Sequence, residues 1–162
     1  MSEETKAEIP SFSRSGQRSV VAVAAYRAGE NLYDEQAGKT FDYTHKHHAA
    51  VSAILTPEHT KDWAKNRQQF WNKVANHEKE KGTSFIKETV LMLPRNLDQD
   101  QRKQLVEDWA NDNLVRKKCL IVDYTIHEPN ASHEKYHTHL LYYTQPIAEN
   151  GEFVVDDYNF EK

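Results

Sequence analysis

Two stretches, LIVDYTIH (residues 120–127) and YHTHLLYYT (residues 136–144), decide the fold. In the first, a two-residue period puts Leu120, Val122, Tyr124 and Ile126 on one face and Ile121, Asp123, Thr125 and His127 on the other. In the second, His137, His139, Leu141 and Tyr143 share a face. The connection between them, Glu128 to Lys135, is short enough for a hairpin, so the two segments read as adjacent antiparallel strands. Working outward, Ser84 to Leu93 (SFIKETVLML) reads as a third strand, ended by Pro94.

Three helices are predicted around these strands. Residues 19–32 (SVVAVAAYRAGENL) carry a serine at the cap position, a run of Ala and Val, and Gly29 near the end. Residues 60–81 place Trp63, Phe70, Trp71 and Val74 at helical spacing and stop at Gly82. Leu97 to Leu114 opens on Asp98 and is apolar at Leu105, Val106, Trp109 and Leu114. Asp34 to His48 is polar, broken by Gly38, and reads as a long excursion. The order helix, helix, strand, helix, strand, strand predicts an α+β fold, an antiparallel sheet covered by helices on one side.

The chain has 162 residues, suited to one core, with 38% hydrophobic and 28% charged residues. No apolar run approaches the ~20 residues that span a bilayer, so membrane insertion is not expected. Glu3, Glu4 and Glu8 exclude a secretory signal at the start. The lone Cys119 excludes an internal disulfide and a Cys-rich zinc motif, and fits a cytoplasmic location. Net charge is −4, and it is unevenly placed. Residues 145–162 hold five acids against one base, which sets them apart as an acidic C-terminal extension to a domain over residues 1–144. That domain is neutral, with twenty bases against twenty acids, and Lys61 to Lys87 holds seven bases against three acids. Such a stretch suits phosphates or a solvated helix face equally.

The chemistry rests on histidines. His137 and His139 project from one face of a strand, ~7 Å apart along the chain, and His127 ends the strand beside it. Three imidazoles so placed form a nitrogen set open on one side to phosphate oxygens and water. The alternative, unrelated surface histidines in a chain with nine, is weaker for His-x-His facing a third across a hairpin. An all-imidazole set favours Mn²⁺, Zn²⁺, Co²⁺ or Ni²⁺, whereas Mg²⁺ prefers oxygen ligands. His133 in the connection reads as a bystander, while His45, His47 and His48 form a second possible site that, lying in the polar excursion, reads mostly as unrelated histidines. Among eight tyrosines, Tyr26 stands out as a nucleophile, since Ala24 and Ala25 would let another chain approach and Arg27 would steady a phosphate.

Residues 13–30, SRSGQRSVVAVAAYRAGE, resemble the opening signature of MobA/MobL-type conjugative relaxases, in which Ala-Tyr-Arg-Ala-Gly carries the catalytic tyrosine. Asp42-Tyr43-Thr44, Phe70-Trp71-Asn72, Lys87-Glu88 before Leu93-Pro94, Ile126-His127-Glu128-Pro129 and His137-Thr138-His139 continue the resemblance in order. The last of these resembles the two-histidine motif of the wider HUH endonuclease group. Each piece is short, and their order carries the resemblance from about Ser11 to Thr144. Two places depart from it: residues 4–10 (ETKAEIP) stand where the family has a short apolar strand, and Lys135-Tyr136 where it often has Asn-Pro.

The resemblance implies a site- and strand-specific nicking enzyme for plasmid mobilisation, acting on single-stranded DNA at an origin of transfer with a divalent metal, Mn²⁺ or Mg²⁺. It implies Tyr26 as nucleophile, His127, His137 and His139 as metal ligands, and Glu88 as a carboxylate that orients a histidine or accepts a proton. Arg14, Arg18 and Arg27 are the expected DNA contacts, and relaxosome accessory proteins and a coupling protein the expected partners. Whole relaxases are longer, so a shortened or minimal relative is expected. Two other readings stay open. One is a rolling-circle initiator or transposase of the same group, with its tyrosine after the His-x-His, at Tyr142, Tyr143 or Tyr158. The other is a non-catalytic DNA-binding accessory domain.

Overall fold

A computed structural model of the chain describes residues 7–8, 19–46, 48–81, 85–131 and 134–154. The main sheet has five strands in the order β1-β5-β7-β6-β4, every neighbouring pair antiparallel. These are β1 (Ala7–Glu8), β4 (Ala49–Leu55), β5 (Ile86–Met92), β6 (Val122–His127) and β7 (His137–Tyr143). A separate hairpin joins β2 (Asn31–Asp34) to β3 (Lys39–Asp42). Thus β6 and β7 are neighbours, paired from Val122↔Tyr142 to His127↔His137. The short β1 borders β5 through Ala7↔Leu91, so a strand forms even where the sequence departs from the family.

Helices cover both faces of the sheet, not one. On the face carrying Ile86, Leu141 and Tyr143 pack α1 (Val20–Ala28) and α2 (Arg67–Lys81) through Val21, Ala24, Ala25, Phe70, Trp71 and Val74. On the other, Leu91, Val122, Tyr124, Ile126, Leu140 and Tyr142 meet Val106, Ala110, Leu114 and Val115. Those last four belong to α3 (Gln99–Ala110) and the π-helical turn Asn111–Val115, which runs on into α4 (Arg116–Lys118). The alternation of β6 already offers two faces. Its even positions are wholly apolar, and only a second helical layer removes them from water.

The helix over 60–81 divides in two. Asp62–Lys65 is a 3₁₀ turn, the backbone extends at Asn66, and α2 starts at Arg67 with the Asn66 side chain accepting from the Gln69 N–H at 2.9 Å. The polar excursion over 34–48 contains the β2–β3 turn, where Gly38 has φ 68°, and it delivers the chain to β4. Residues 145–154, the head of the acidic extension, are not detached, since Ile147 and Phe153 are buried with the α2-side core. No helix among the described residues is long and apolar enough to cross a membrane.

One buried ion pair ties α2 to the sheet. Arg67 donates from Nε and Nη2 to both carboxylate oxygens of Asp123 at 2.8 Å, and the Trp71 indole N–H donates to the same carboxylate at 2.8 Å. A pair this enclosed depends on every donor and acceptor being met. Asp123→Ala should therefore cost about 3–5 kcal/mol, because it strands a buried guanidinium. Urea unfolding measures this, and a loss below about 1 kcal/mol would show that Glu30, which also pairs with Arg67 at 2.9 Å, suffices alone.

Candidate active site and metal centre

Helix α1 begins where the Ser19 hydroxyl accepts from the Ala22 N–H at 2.9 Å and donates to Asp34 at 2.5 Å. Its inner face is Val20, Val21, Ala24, Ala25 and Ala28, all buried, so the helix backbone lies close to the sheet. Tyr26 is thereby turned outward and is 38% exposed. The helix ends on Gly29 at φ 67°, with the Glu30 N–H on the Ala25 carbonyl at 2.9 Å and the Gly29 N–H on that of Tyr26 at 3.3 Å.

The last carbonyls of α1 also receive histidines. His48 donates from Nε2 to the Tyr26 carbonyl, and His127 from Nε2 to the Arg27 carbonyl, each at 2.8 Å. His127 lies directly opposite His137 in the β6–β7 register, and His139 falls two residues on along the same face. The ring centroids of His127 are 5.4 Å from those of His137 and 4.7 Å from those of His139. One nitrogen from each of the three lies within 4.8 Å of the others, close enough to share one cation.

The surroundings prepare these rings as ligands. Burial drives His127 down to about 3; the Arg27 carbonyl opposes this, while the other histidines add to it. It is neutral at pH 7, the form that binds a metal. Its Nε2 proton is committed to a carbonyl, the arrangement in which an imidazole takes a cation on its other nitrogen. His137 donates from Nδ1 to the Lys135 carbonyl at 3.2 Å, and His139 from Nδ1 to Glu88 at 3.1 Å. Three imidazoles, each with an acceptor behind the ring, fit a borderline divalent cation.

Glu88, on β5, also accepts from Arg27 Nε at 2.6 Å and Nη2 at 3.0 Å. Burial pushes its carboxyl up, but hydrogen bonds from His139 and Arg27, with the guanidinium charge, overcome that and hold it at about 2. Glu88 is thus a fixed carboxylate that orients His139. Arg27 spends its fork on Glu88, with its guanidinium carbon 5.9 Å from the Tyr26 ring centre.

Of the expected residues, the structure brings together Tyr26, Arg27, Glu88, His127, His137 and His139. Arg14, Arg18, His47, His133 and Tyr158 lie outside the described residues. Tyr143 is buried with its hydroxyl on His77 Nδ1 at 2.6 Å, and Tyr142 is buried in the opposite core beside Thr89. His48, read in the sequence as part of a second possible site in the loop, stands between Tyr26 and the cluster, 5.2 Å from the Tyr26 ring and 4.5 Å from His127. The signal for it was β4. Once Ala49 is paired with His127, the residue before it must sit beside the cluster.

The chain matches the model of the MobA/MobL family over residues 18–159. It is 34% identical over 118 residues to "Mobilization protein MobL" of Acidithiobacillus ferridurans, covering 73% of this chain and 30% of that protein. It is 28% identical over 149 residues to "Conjugal transfer protein TraA" of Agrobacterium fabrum, covering 86% of this chain and 13% of that one. A solved structure described as "Molecular Basis of Vancomycin Resistance Transfer in Staphylococcus aureus" superposes with a TM-score of 0.82 at 27% identity, over 95% of this chain and 79% of that chain. The chain therefore spans less than a third of the length of these curated relatives. It belongs to the MobA/MobL family.

The metal assignment predicts that Mn²⁺ raises the melting temperature of the wild type and of His59→Gln, and no longer does so in His137→Ala; equal shifts in both variants would refute a shared cation. For the metal-free protein, the depressed His127 value means the unfolded chain takes up a proton first as pH falls. Stability should decline from about pH 6.5 towards 3, then further between about 4.5 and 2 as Glu88 loses its charge. Urea midpoints at pH 7, 5.5 and 4.5 check this, and His127→Asn should flatten the upper part of the decline.

Proposed function

We propose that this member of the MobA/MobL family is a metal-dependent, site- and strand-specific DNA-nicking relaxase that starts plasmid mobilisation at an origin of transfer. The observation that supports it is the pairing of one exposed tyrosine, Tyr26, with a three-imidazole cluster. Tyr142 and Tyr143, two of the three positions that the initiator reading offers, are buried on either side of the sheet, and the third, Tyr158, lies outside the described residues.

In this reading the Tyr26 hydroxyl oxygen attacks the scissile phosphorus, forming a Tyr–O–P bond while the P–O3′ bond breaks. The strand leaves a 5′-phosphate on the tyrosine and a 3′-hydroxyl that carries the proton, and the reverse attack reseals it. A cation held by His127, His137 and His139 would neutralise charge on the non-bridging oxygens. The ligand set suits Mn²⁺, Zn²⁺, Co²⁺ or Ni²⁺ over Mg²⁺.

Glu88 works here as a positioning residue. A carboxyl held at about 2 is too weak a base to take the tyrosine proton, but it aims His139 and anchors Arg27 beside the nucleophile. His48 and His127 fix the end of α1, and with it the Tyr26 backbone, against the cluster. Single-stranded DNA bound through phosphates and base stacking is the substrate, with accessory and coupling proteins as partners in the cytoplasm. Residues 1–144 carry the nicking machinery in this reading, and residues 145–162 extend it.

The test uses single-stranded oligonucleotides tiling the DNA that flanks the gene, with Mn²⁺, read on a denaturing gel. Wild type should form a covalent protein–DNA adduct. Tyr26→Phe removes one oxygen, so it should bind DNA and metal as wild type does and form none. An adduct that persists in Tyr26→Phe and disappears in Tyr143→Phe or Tyr158→Phe would move the protein to the initiator class. Supercoiled and single-stranded DNA should be cut, and relaxed linear duplex hardly at all, because the tyrosine needs an unstacked strand.

A further inference from the structure

Among the described residues two cationic side chains, Arg27 and Lys46, lie against the Tyr26 ring, and of these Arg27 is held in an ion pair. Arg27 is clamped on Glu88, whereas the Lys46 ammonium lies 5.7 Å from the centre of the Tyr26 ring. Lys46 and Tyr26 are both exposed, and no carboxylate among the described residues forms an ion pair with Lys46. The ordinary reading of such a lysine is a solvated loop residue, but this loop is fixed.

The Asp42 carboxylate accepts from the Thr44 N–H at 2.9 Å and the Thr44 hydroxyl at 2.6 Å, closing a tight turn. The Tyr43 N–H donates to the Glu30 carbonyl at 3.0 Å, and the Lys46 N–H to the Tyr43 carbonyl at 2.9 Å. The loop then presses on the end of the nucleophile's helix, where a Cβ built on Gly29 would stand 3.0 Å from the Lys46 carbonyl oxygen. Tyr43 meets Tyr26 edge-on, with ring centres 5.2 Å apart at 88°. So a rigid lip of aromatic rings and one cation borders the nucleophile, on backbone bonded to the same helix end.

We propose that the loop Tyr43–Lys46 is a binding subsite for the DNA strand, in which Lys46 pairs with a phosphate flanking the one that Tyr26 attacks. The proposal rests on the relaxase reading and deepens it. With the ammonium 5.7 Å from the Tyr26 ring centre, a strand whose phosphate meets the Tyr26 hydroxyl would have a neighbouring phosphate within reach of Lys46. Lysine suits that contact, since a mobile point charge accepts a phosphate without demanding one geometry. Arginine in its place would retain the charge.

The test measures binding of a labelled single-stranded 30-mer of mixed sequence by anisotropy across NaCl concentrations. Lys46→Met should lower the slope of log K against log salt by about 0.7, the loss of one phosphate contact on a single strand. Lys46→Arg should restore it. Lys117→Met, on the far side of the sheet, removes the same charge and should leave the slope unchanged. Adduct formation at sub-saturating DNA should slow in Lys46→Met, with the gap to wild type closing as salt rises. An unchanged slope in Lys46→Met, or an equal fall in Lys117→Met, overturns the subsite. The relaxase reading is scored separately by the wild-type adduct. An adduct with an unchanged Lys46→Met slope sinks the subsite alone, while a lowered slope with no wild-type adduct supports the contact and sinks the nicking reading.

Discussion

The Glu88 carboxylate is the charged tie between helix α1 and the strand that carries His139, added to the bonds that His48 and His127 make to the helix end. From β5 it reaches across to His139 on β7, and it also receives the guanidinium of Arg27 from α1. Burial of a carboxylate is costly unless every lone pair is met. Here the charge is met from two sides at once, which explains how it stays ionised in a mostly enclosed position. The residue before Arg27 is Tyr26. Any shift of the helix relative to the histidine strand must stretch a charged hydrogen bond at 2.6 Å, so the carboxylate helps to hold Tyr26 at a fixed distance from the cluster.

The sheet supplies the second constraint. Antiparallel pairing of β6 with β7 puts His127 directly across from His137, and the two-residue period brings His139 to the same face. The same period fills the opposite face with Val122, Tyr124, Ile126, Leu140 and Tyr142 against α3 and the π turn. Chemistry and core are thus sorted onto the two sides of the same strands. A slip of one residue in that pairing would bury the histidines in the apolar layer and expose the core.

The strands and helices whose period is strong, β5, β6, β7, α1 and α3, were legible in the sequence to within a few residues. So was the histidine cluster, because spacing on a strand fixes which side chains share a face. What escaped was decided by tertiary contact. The strand β4 is Ala- and Ser-rich, with every position half-buried, so its sequence lacks the contrast between faces that marks a strand. Missing β4 hid His48, whose place beside His127 follows from β4 pairing with β6. The β2–β3 hairpin was hidden by its polarity, and the break at Asn66 by a cap that looks like helix interior in one dimension. Arg27 was expected on a phosphate; Glu88, sixty-one residues away, engages it instead.

The last turn of α1 meets the cluster with its carbonyl end, and this bears on charge. Backbone dipoles add along a helix to roughly half a negative charge at that end. As ligands, three imidazoles would be uncharged and would leave a divalent cation its full double charge. A carboxylate ligand would cancel part of that charge and weaken its pull on DNA. With the helix end and the carboxylate behind His139 on the far side of the rings, part of the field that a cation would meet is supplied at one remove, behind the imidazoles. An ion held there would thus be steadied while staying strongly electropositive towards the solvent side, the side open to the polyanion of the proposed reaction.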